Sequence, residues 1–532
     1  PVRHAFTMGI PEGLHLAEDH DFWHHFFQSL GIRTLSSSDL KSPVKEGKQS
    51  AAAEFCAPMV ALHGHVRHLM KKADYVFLPF YFEEKTGNRE IRRHHCYYTQ
   101  FSPAIIACAP GIERERLVSP IIKYLYTGFH TKLELYKALK RLSADFRFSF
   151  FDISAAYDKA RELKKKTRDN LKLAWKKNRG TEQDLKVVFL GRPYTVLSKS
   201  MNSGIPGIFE NLGVNTCFHD MLDHTGVDFT PVEPLLREVH WKHAANILKA
   251  AYVSAITPNL YPVFVSSFRC APDSFAIDYV KQIMEAHEKP YLVLELDEHD
   301  SSVGYETRIE AAVQAFNNHS DTAPGTGPAL PELSELAPVY LKKMTGKTII
   351  FPNWDAYTGT LISAVLRSEG YPSLLMEETQ ETLKRSMLTN TGQCIPLNAV
   401  ASAYIHTVEK HRLNPEDCLL WLNPSEIACN IKLYPHQIQK ILRRHGSGFE
   451  KSHIYLGELS LFDISFRAST NAYYAYMFGG LLRSVGCKIR PYEIQKGETD
   501  QVLGQALGIL EKAFESRSSK EKALKQVKDL FL

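Results

Sequence analysis

The chain has 532 residues, of which 44% are hydrophobic and 23% charged, as is ordinary for a globular protein of about three or four domains. Its net charge of +5 is small for this length and argues against nucleic acid as a partner. The sequence has neither an apolar run of about twenty residues, which would predict a membrane span, nor a secretory signal, so we expect a cytoplasmic protein. Because it begins with Pro1 rather than methionine, we also expect a processed or excised piece.

Residues 1–154 are predicted to form a first unit of alternating strands and helices. An apolar helical face ends at Gly31, and residues 32–35 resume as a strand. After a polar loop, Cys56-Ala57-Pro58 opens a second helix, and a short buried strand follows at 75–78. The residues of the first apolar face are Phe22, Trp23, Phe26, Phe27 and Leu30.

A basic, Lys/Arg-rich helix over residues 155–182 is predicted to connect this unit to a middle unit at 183–317. The simplest interpretation of its charges is a solvated face, with a docking surface for an acidic redox partner as the alternative. In the middle unit, an apolar strand at 187–190 ends at Gly191-Arg192-Pro193-Tyr194, and Cys270 follows another strand.

Residues 318–345, rich in Pro, Gly, Thr and Ser, predict a linker to a third unit at 346–532 with a C-terminal helix. The third unit repeats the spacing of the first: Gly31 precedes Cys56 by 25 residues, and Gly370 precedes Cys394 by 24. We therefore predict an α/β fold of several Rossmann-like, parallel-sheet units with an internal repeat.

Nine cysteines, an odd number in a chain without a secretory signal, predict reduced thiols rather than disulfides. One motif occurs three times: a cysteine, one spacer residue and a proline, followed by a helical pattern. Its cysteines are Cys56, Cys270 and Cys394. Proline suits the first helical position, so each cysteine is predicted at a helix N-cap, where free N–H groups and the helix dipole favour thiolate. Thiolates bind soft metals or iron–sulfur clusters, or attack electrophiles. Ligands of parallel sheets bind beyond the carboxyl ends of strands, so we expect these cysteines to converge.

These motifs resemble the 2-hydroxyacyl-CoA dehydratase superfamily, and within it the acyl-CoA dehydratase activase-related branch, a relative of the double-cubane-cluster reductases. The similarity covers roughly residues 9–110, 187–317 and 346–502. The stretches that carry it include Gly9-Ile10-Pro11, Cys56-Ala57-Pro58 with His63-Gly64-His65, Gly191-Arg192-Pro193-Tyr194, Ser267-Phe268-Arg269-Cys270 with Asp273, Cys394-Ile395-Pro396, Cys429, and Ile489-Arg490-Pro491-Tyr492-Glu493.

The resemblance implies an anaerobic, oxygen-sensitive protein that holds a [4Fe–4S] or double-cubane cluster. Its implied ligands are Cys56, Cys96, Cys270, Cys394 and Cys429. An ATP-dependent iron–sulfur activator, as a separate protein or a fused domain, would deliver one low-potential electron. The electron would reach an acyl-CoA thioester in a dehydratase, or a small unsaturated molecule in a reductase. A homodimer is also among the expected assemblies.

The sequence departs from the family pattern at two places that bear on the cluster. Phe80 follows Pro79 where a cysteine is often found, which leaves the first unit's ligand set incomplete. The glycines that flank the mid-chain cysteine are replaced by Arg269 and Ala271, which either crowds the cluster or provides an anion-binding arginine.

Alternatives therefore stay open. The chain is an iron–sulfur enzyme, or a non-catalytic scaffold that kept the fold but lost full ligation, or a zinc-stabilised protein with His94-His95-Cys96 and Cys56 as ligands. Arg192 either holds a phosphate or carboxylate, or belongs to a structural turn with its side chain in solvent. His63 and His65 are interpreted as packing or hydrogen-bonded residues. Four cysteines in apolar or strand-like runs are interpreted as core: Cys108, Cys217, Cys418 and Cys487.

Overall fold

The computed structural model describes residues 6–84, 86, 91–122, 128–142, 148–178, 180–181, 183–297, 302–319, 346–389, 392, 394–425 and 427–531. These residues form two units. The first contains the described residues up to 319 together with 427–429, and the second contains the remainder.

The first part of the first unit is built on a four-stranded sheet of order β2–β1–β3–β7 in which every neighbouring pair is parallel. Its strands, with four further short ones, are β1 (Thr7–Ile10), β2 (Arg33–Ser36), β3 (Tyr75–Phe77), β4 (Phe80–Tyr81), β5 (Glu83–Glu84), β6 (Arg93–His94), β7 (Leu117–Val118) and β8 (Ile121–Ile122). Its helices are α1 (His15–Ser29), α2 (Pro43–Lys48), α3 (Ala57–Met70), α4 (Tyr97–Ala107), α5 (Gly128–Lys140) and α6 (Phe150–Asn178).

The rest of the first unit is built on a second parallel sheet, of order β10–β9–β11–β12. Its strands are β9 (Lys186–Gly191), β10 (Asn215–Phe218), β11 (Leu260–Ser267) and β12 (Leu292–Leu296). Every residue of β9 and β11 is buried, which explains why residues 187–190 and 263–265 of these strands are apolar without alternation. The helices are α7 (Pro193–Val196), α8 (Ile205–Asn211), α9 (Glu233–Glu238), α10 (Lys242–Ile256), α11 (Ala271–Ala286) and α12 (Ser302–Asn318).

The second unit contains a third parallel sheet, of order β14–β13–β15–β16. Its strands are β13 (Thr348–Phe351), β14 (Ser373–Leu375), β15 (Cys418–Leu422) and β16 (His453–Leu456). Its helices are α13 (Ala356–Ser368), α14 (Gln380–Leu388), α15 (Ile395–Lys410), α16 (Tyr434–His445), α17 (Phe466–Ile489), α18 (Glu498–Glu515) and α19 (Lys520–Asp529).

All three sheets have the same order when the strands of each are numbered along the chain: second, first, third, fourth. The predicted α/β fold with repeated parallel-sheet units is therefore confirmed. The apolar face of α1 is also buried as predicted, with Trp23, Phe26 and Phe27 inaccessible to solvent. Among the described helices, none combines the length and hydropathy that crossing a membrane requires.

The basic helix begins before the predicted connector and is anchored at its start. Within α6, Ile153, Ala156 and Ala160 are buried in the core of the first sheet, so the predicted connector is partly a core helix. The predicted linker lies, from residue 320 onward, outside the described residues. The predicted domain boundaries remain predictions.

Candidate functional site

Four of the predicted ligands occupy the same local position. Cys56, Cys96, Cys270 and Cys394 are the N-cap residues of α3, α4, α11 and α15, and none of their side chains makes a capping hydrogen bond. The N–H groups of a first helical turn lack partners within the helix, and the helix dipole places positive charge there. Each sulfur is therefore attached where the backbone favours negative charge.

Three of these thiols, on Cys56, Cys96 and Cys270, interact electrostatically with one another in the first unit. Burial raises the pKa of Cys56 to about 12, and the charge of Cys96 adds to the rise. Burial also raises the pKa of Cys270 well above its ordinary value, with further contributions from Asp273, Cys56 and Cys96. We call these three residues the thiol cluster. Of the three cysteines that the sequence predicted to converge, Cys56 and Cys270 are in this cluster, whereas Cys394 belongs to the second unit.

The other two predicted ligands have different surroundings. Cys429 is partly exposed and lies in the segment 427–429, which groups with the first unit. Tyr97, the residue after Cys96, has its pKa raised by burial and then by the charge of Cys429. Cys394 belongs to the second unit, where its sulfur is 3.2 Å from the hydroxyl oxygen of Tyr434.

A buried ion pair lies beside the thiol cluster. Arg192 follows β9, and its Nε donates to Oδ1 of Asp273 over 2.8 Å, with both side chains only 2% exposed. Burial disfavours the charged guanidinium, but Asp273, followed by Cys270, Tyr194 and Cys96, holds the pKa of Arg192 above its usual range. Arg192 in turn lowers the pKa of Cys56 and Cys270, although burial outweighs this effect.

A second buried ionic group joins the two sheets of the first unit. Nζ of Lys242 lies 3.2 Å from Glu18 and 2.6 Å from Glu84, and its side chain is 13% exposed. Next to it, His95 is fully enclosed, and both of its ring nitrogens are without a hydrogen-bond partner. Burial and the charge of Lys242 hold the pKa of His95 well below its usual value, so the ring is neutral at neutral pH.

Two pockets in the first unit open next to the thiol cluster. One, of about 460 Å³, is lined by residues adjacent to two of the cysteines: Ala57, Phe268 and Arg269. The other, of about 380 Å³, is lined by Lys41, Lys45 and Lys48, by several hydroxyl groups and also by Ala57. They share Lys48, Ala57, Leu296 and Asp297. The lysines of the smaller pocket and the aromatic ring of Phe268 in the larger one together suit a ligand that has both anionic and apolar groups.

One known protein family matches part of the chain. Residues 7–222 match the family described as the CoA enzyme activase uncharacterised domain. The match covers the first sheet, Cys56, Cys96 and Arg192, and it supports a relation to the activase-related branch. Neither a curated protein nor a solved structure matches the chain.

The structure corrects several predictions. Cys217 and Cys418 are buried as predicted, but Cys108 and Cys487 are exposed, because Cys108 ends α4 and Cys487 lies near the end of α17. Arg192 is not solvated, since Asp273 occupies its Nε.

The other anion-binding candidate, Arg269, also has an internal partner. Its Nη1 donates to a carboxylate oxygen of Glu54 over 2.8 Å, and both side chains are more than half exposed. Arg269 has a φ of 66°, the left-handed conformation that the glycine of the family pattern would adopt without strain.

Sequence reasoning missed Lys242 and the pocket lysines as site residues. Lys45 and Lys48 are three residues apart, a helical spacing that could have signalled one face of α2, whereas Lys41 precedes the helix. No comparable signal marks Lys242, because its partners are more than 150 residues away in the sequence.

Within the described residues, no three His, Cys, Asp or Glu side chains are arranged to hold a single metal ion. The four thiolates of a zinc ion lie only about 3.8 Å apart, given a zinc–sulfur distance of about 2.3 Å and tetrahedral geometry. The zinc alternative therefore has no ready-made site in the described chain. An iron–sulfur cluster is larger than one ion and holds its thiolates farther apart.

Proposed function

We propose that this chain is the iron–sulfur component of an ATP-activator-dependent, low-potential reductase or 2-hydroxyacyl-CoA dehydratase-like enzyme. The observation that carries the proposal is that Cys56, Cys96 and Cys270 each occupy a helix N-cap in the first unit and that the charge of Cys96 raises the pKa of the other two. The match of residues 7–222 to the CoA enzyme activase domain supports the link to CoA chemistry.

The donor set fits an iron–sulfur cluster. Three thiols of the cluster, with Cys429 as the candidate fourth, are the soft ligands that such clusters require. Once bound, the cluster would supply single-electron transfer at low potential. Cys394, which caps α15 of the second unit, is the candidate for a further ligand.

Residues of the chain itself determine the protonation and the charge of the sulfurs in the thiol cluster. Because burial raises the pKa values of Cys56 and Cys270, both thiols are protonated at neutral pH in the free protein and are poor nucleophiles. Ligation would therefore release protons from these two sulfurs. The three helix N-termini would stabilise the negative charge that the thiolates then carry.

The adjacent pockets suit an acyl-CoA substrate. Lys41, Lys45 and Lys48 would attract the phosphate groups of coenzyme A, since lysine acts as a point charge toward phosphate. The larger pocket, with Phe55 and Phe268 in its wall, would accommodate the acyl group beside the thiol cluster. The electron would come from a separate ATP-driven activator or a fused activator domain.

The test is the iron and acid-labile sulfide content of protein purified and reconstituted without oxygen. We expect about four iron ions or more per chain, as a cubane cluster requires. Cys56→Ala, Cys96→Ala and Cys270→Ala should lose most of this iron and the broad visible absorbance. The matched controls are Cys108→Ala and Cys487→Ala, which remove exposed cysteines and should retain both.

Cys429→Ala tests whether Cys429 is the fourth ligand, and Cys394→Ala tests separately the prediction that Cys394 also binds iron. Iron-free wild-type protein after reconstitution would overturn the proposal.

The scaffold alternative has one observation in its favour. Phe80, where the family pattern often has a cysteine, stacks on Phe82 with ring centroids 6.1 Å apart, so an aromatic contact replaces a ligand. A colourless, oxygen-insensitive protein that still binds its partner would support this alternative.

A further inference from the structure

The guanidinium of Arg192 is fixed from two sides inside the first unit. Its Nε donates to Asp273 over 2.8 Å, and its Nη1 donates to the hydroxyl oxygen of Tyr194 over 3.2 Å. The residue lies between β9 and α7, both of which are buried throughout. These two hydrogen bonds and the buried elements on both sides thus hold the guanidinium of Arg192 in one position.

Asp273, the partner of Arg192, is itself held by the sheet. Ser266 at the end of β11 donates from its Oγ to Asp273 Oδ2 over 3.0 Å, while Arg192 occupies Oδ1. Asp273 lies in the first turn of α11, three residues after the N-cap Cys270. The Arg192–Asp273 pair is therefore anchored next to one of the proposed cluster ligands.

One donor of this guanidinium is left over. Nη2 of Arg192 is buried and has no hydrogen-bond partner. A buried, charged donor without a partner is costly, and such groups in native proteins usually donate to a water molecule, an ion or a ligand. Because Arg192 is bonded to Asp273, three residues after Cys270, the unpaired donor lies beside the N-terminus of α11 that carries this proposed cluster ligand.

We propose that Arg192 is a positioning residue whose Nη2–H donates a hydrogen bond to the sulfur atoms of the bound iron–sulfur cluster and whose charge sets the reduction potential. The inference rests on the proposed function. Asp273 would hold the guanidinium in place and partly offset its charge. No bond of the protein forms or breaks; one electron enters from a low-potential reductant, and Arg192 stabilises the added negative charge.

The sign of the effect follows from the charges. Reduction adds one negative charge close to a fixed positive one, and hydrogen bonds to sulfur favour the reduced state. Removal of Arg192 should therefore make the potential more negative. Neutralisation of Asp273 removes the negative charge that partly offsets Arg192, so the reduction potential should become less negative.

The experiment is a reductive titration with titanium(III), followed by electron paramagnetic resonance, on anaerobically reconstituted full-length protein. We expect Arg192→Met to weaken reduction about tenfold, which for a one-electron couple is about 59 mV toward more negative potential. Arg192→Lys, which keeps the charge but not the fork, should recover part of the shift, and Asp273→Asn should shift the potential in the opposite direction. Arg237→Met is the control, because Arg237 lies on α9 and pairs with Glu233 at the surface.

Iron content separates the outcomes. Iron-loaded wild type and variants with equal potentials would overturn the role of Arg192 while leaving the proposed function intact. Wild-type protein that binds no iron would overturn the proposed function, and this inference with it. If Arg192→Met folds but fails to load, Asp273→Asn decides, because an unchanged or more negative potential in that variant would contradict the proposal.

Discussion

At the scale of single residues, burial decides which side chains are charged. His63 in α3 is 1% exposed, its ring stacks on Phe55 with centroids 5.6 Å apart, and neither ring nitrogen has a hydrogen-bond partner. Burial lowers the pKa of His63 from 6.5 to about 4. The sequence predicted packing or hydrogen bonding for this residue, rather than a metal pair, because two histidines two residues apart face different sides of a helix. It could not predict that no polar partner would be present.

This histidine makes folding stability depend on pH. Between pH 6.5 and pH 4 the unfolded chain binds a proton at His63 that the folded chain does not, so stability falls as the pH is lowered through this window. From pH 7 to pH 5 the loss is about 2 kcal/mol. We expect His63→Phe to remove this part of the pH dependence in urea unfolding. His411→Phe, at an exposed position, should leave it unchanged, and equal pH dependence in His63→Phe and wild type would contradict the assignment.

At the scale of elements, the sequence predicted the helices that follow the three Cys-x-Pro motifs, but neither α2 nor the helix α4 that follows Cys96. The Cys-x-Pro pattern combines a helix-start proline with an apolar run, and both signals are local. Helix α2 is six residues long, polar and contains Gly47, so its local pattern is that of a loop. Its helical form depends on contact with α3, which lies later in the sequence.

The contact between α2 and α3 requires two glycines. A Cβ on Gly47 would lie 1.8 Å from the carbonyl oxygen of Val60, and one on Gly64 would lie 2.1 Å from that of Pro43. We expect Gly47→Ala and Gly64→Ala each to push the helices apart and to lower the free energy of unfolding by about 1–3 kcal/mol. Because Lys45 and Lys48 lie on α2, both variants should also weaken the acyl-CoA binding that we propose for this pocket, as measured by isothermal titration.

The control for this crossing is Gly504→Ala in α18, where an added Cβ meets no atom within 4 Å. Alanine is the better helix former, so this variant should be neutral or more stable by up to about 1 kcal/mol. Equal unfolding midpoints for Gly47→Ala and Gly504→Ala would show that the crossing is not close packed in solution.

At the scale of the whole molecule, the repeated sheets were predictable and the joining of two of them was not. Alternating strands and helices encode a parallel sheet, and the equal spacings around Cys56 and Cys394 encode a repeat. The first two sheets, however, are joined by contacts between distant residues. Arg93 of β6 donates to the backbone carbonyl oxygens of Leu236 and Val239, which are 143 and 146 residues away. No local pattern carries such a pairing, and the gathering of three thiols depends on it.

Lys242 tests whether buried charges hold the two sheets of the first unit together. Its Nζ bridges Glu18 of α1 and Glu84 of β5, although it belongs to α10 beside the second sheet. The side chains of Lys242, Glu18 and Glu84 are 13%, 22% and 32% exposed, so the ionic group is only partly buried. Removal of Lys242 still leaves two carboxylates uncompensated, so we expect Lys242→Met to lower the free energy of unfolding by about 2 kcal/mol. Lys72→Met is the matched control. Its bridge to Asp39 is about half exposed on both sides, so the change should be below about 1 kcal/mol. Equal effects of the two variants in urea unfolding would mean that apolar packing, and not the ion network, joins the sheets around the thiol cluster.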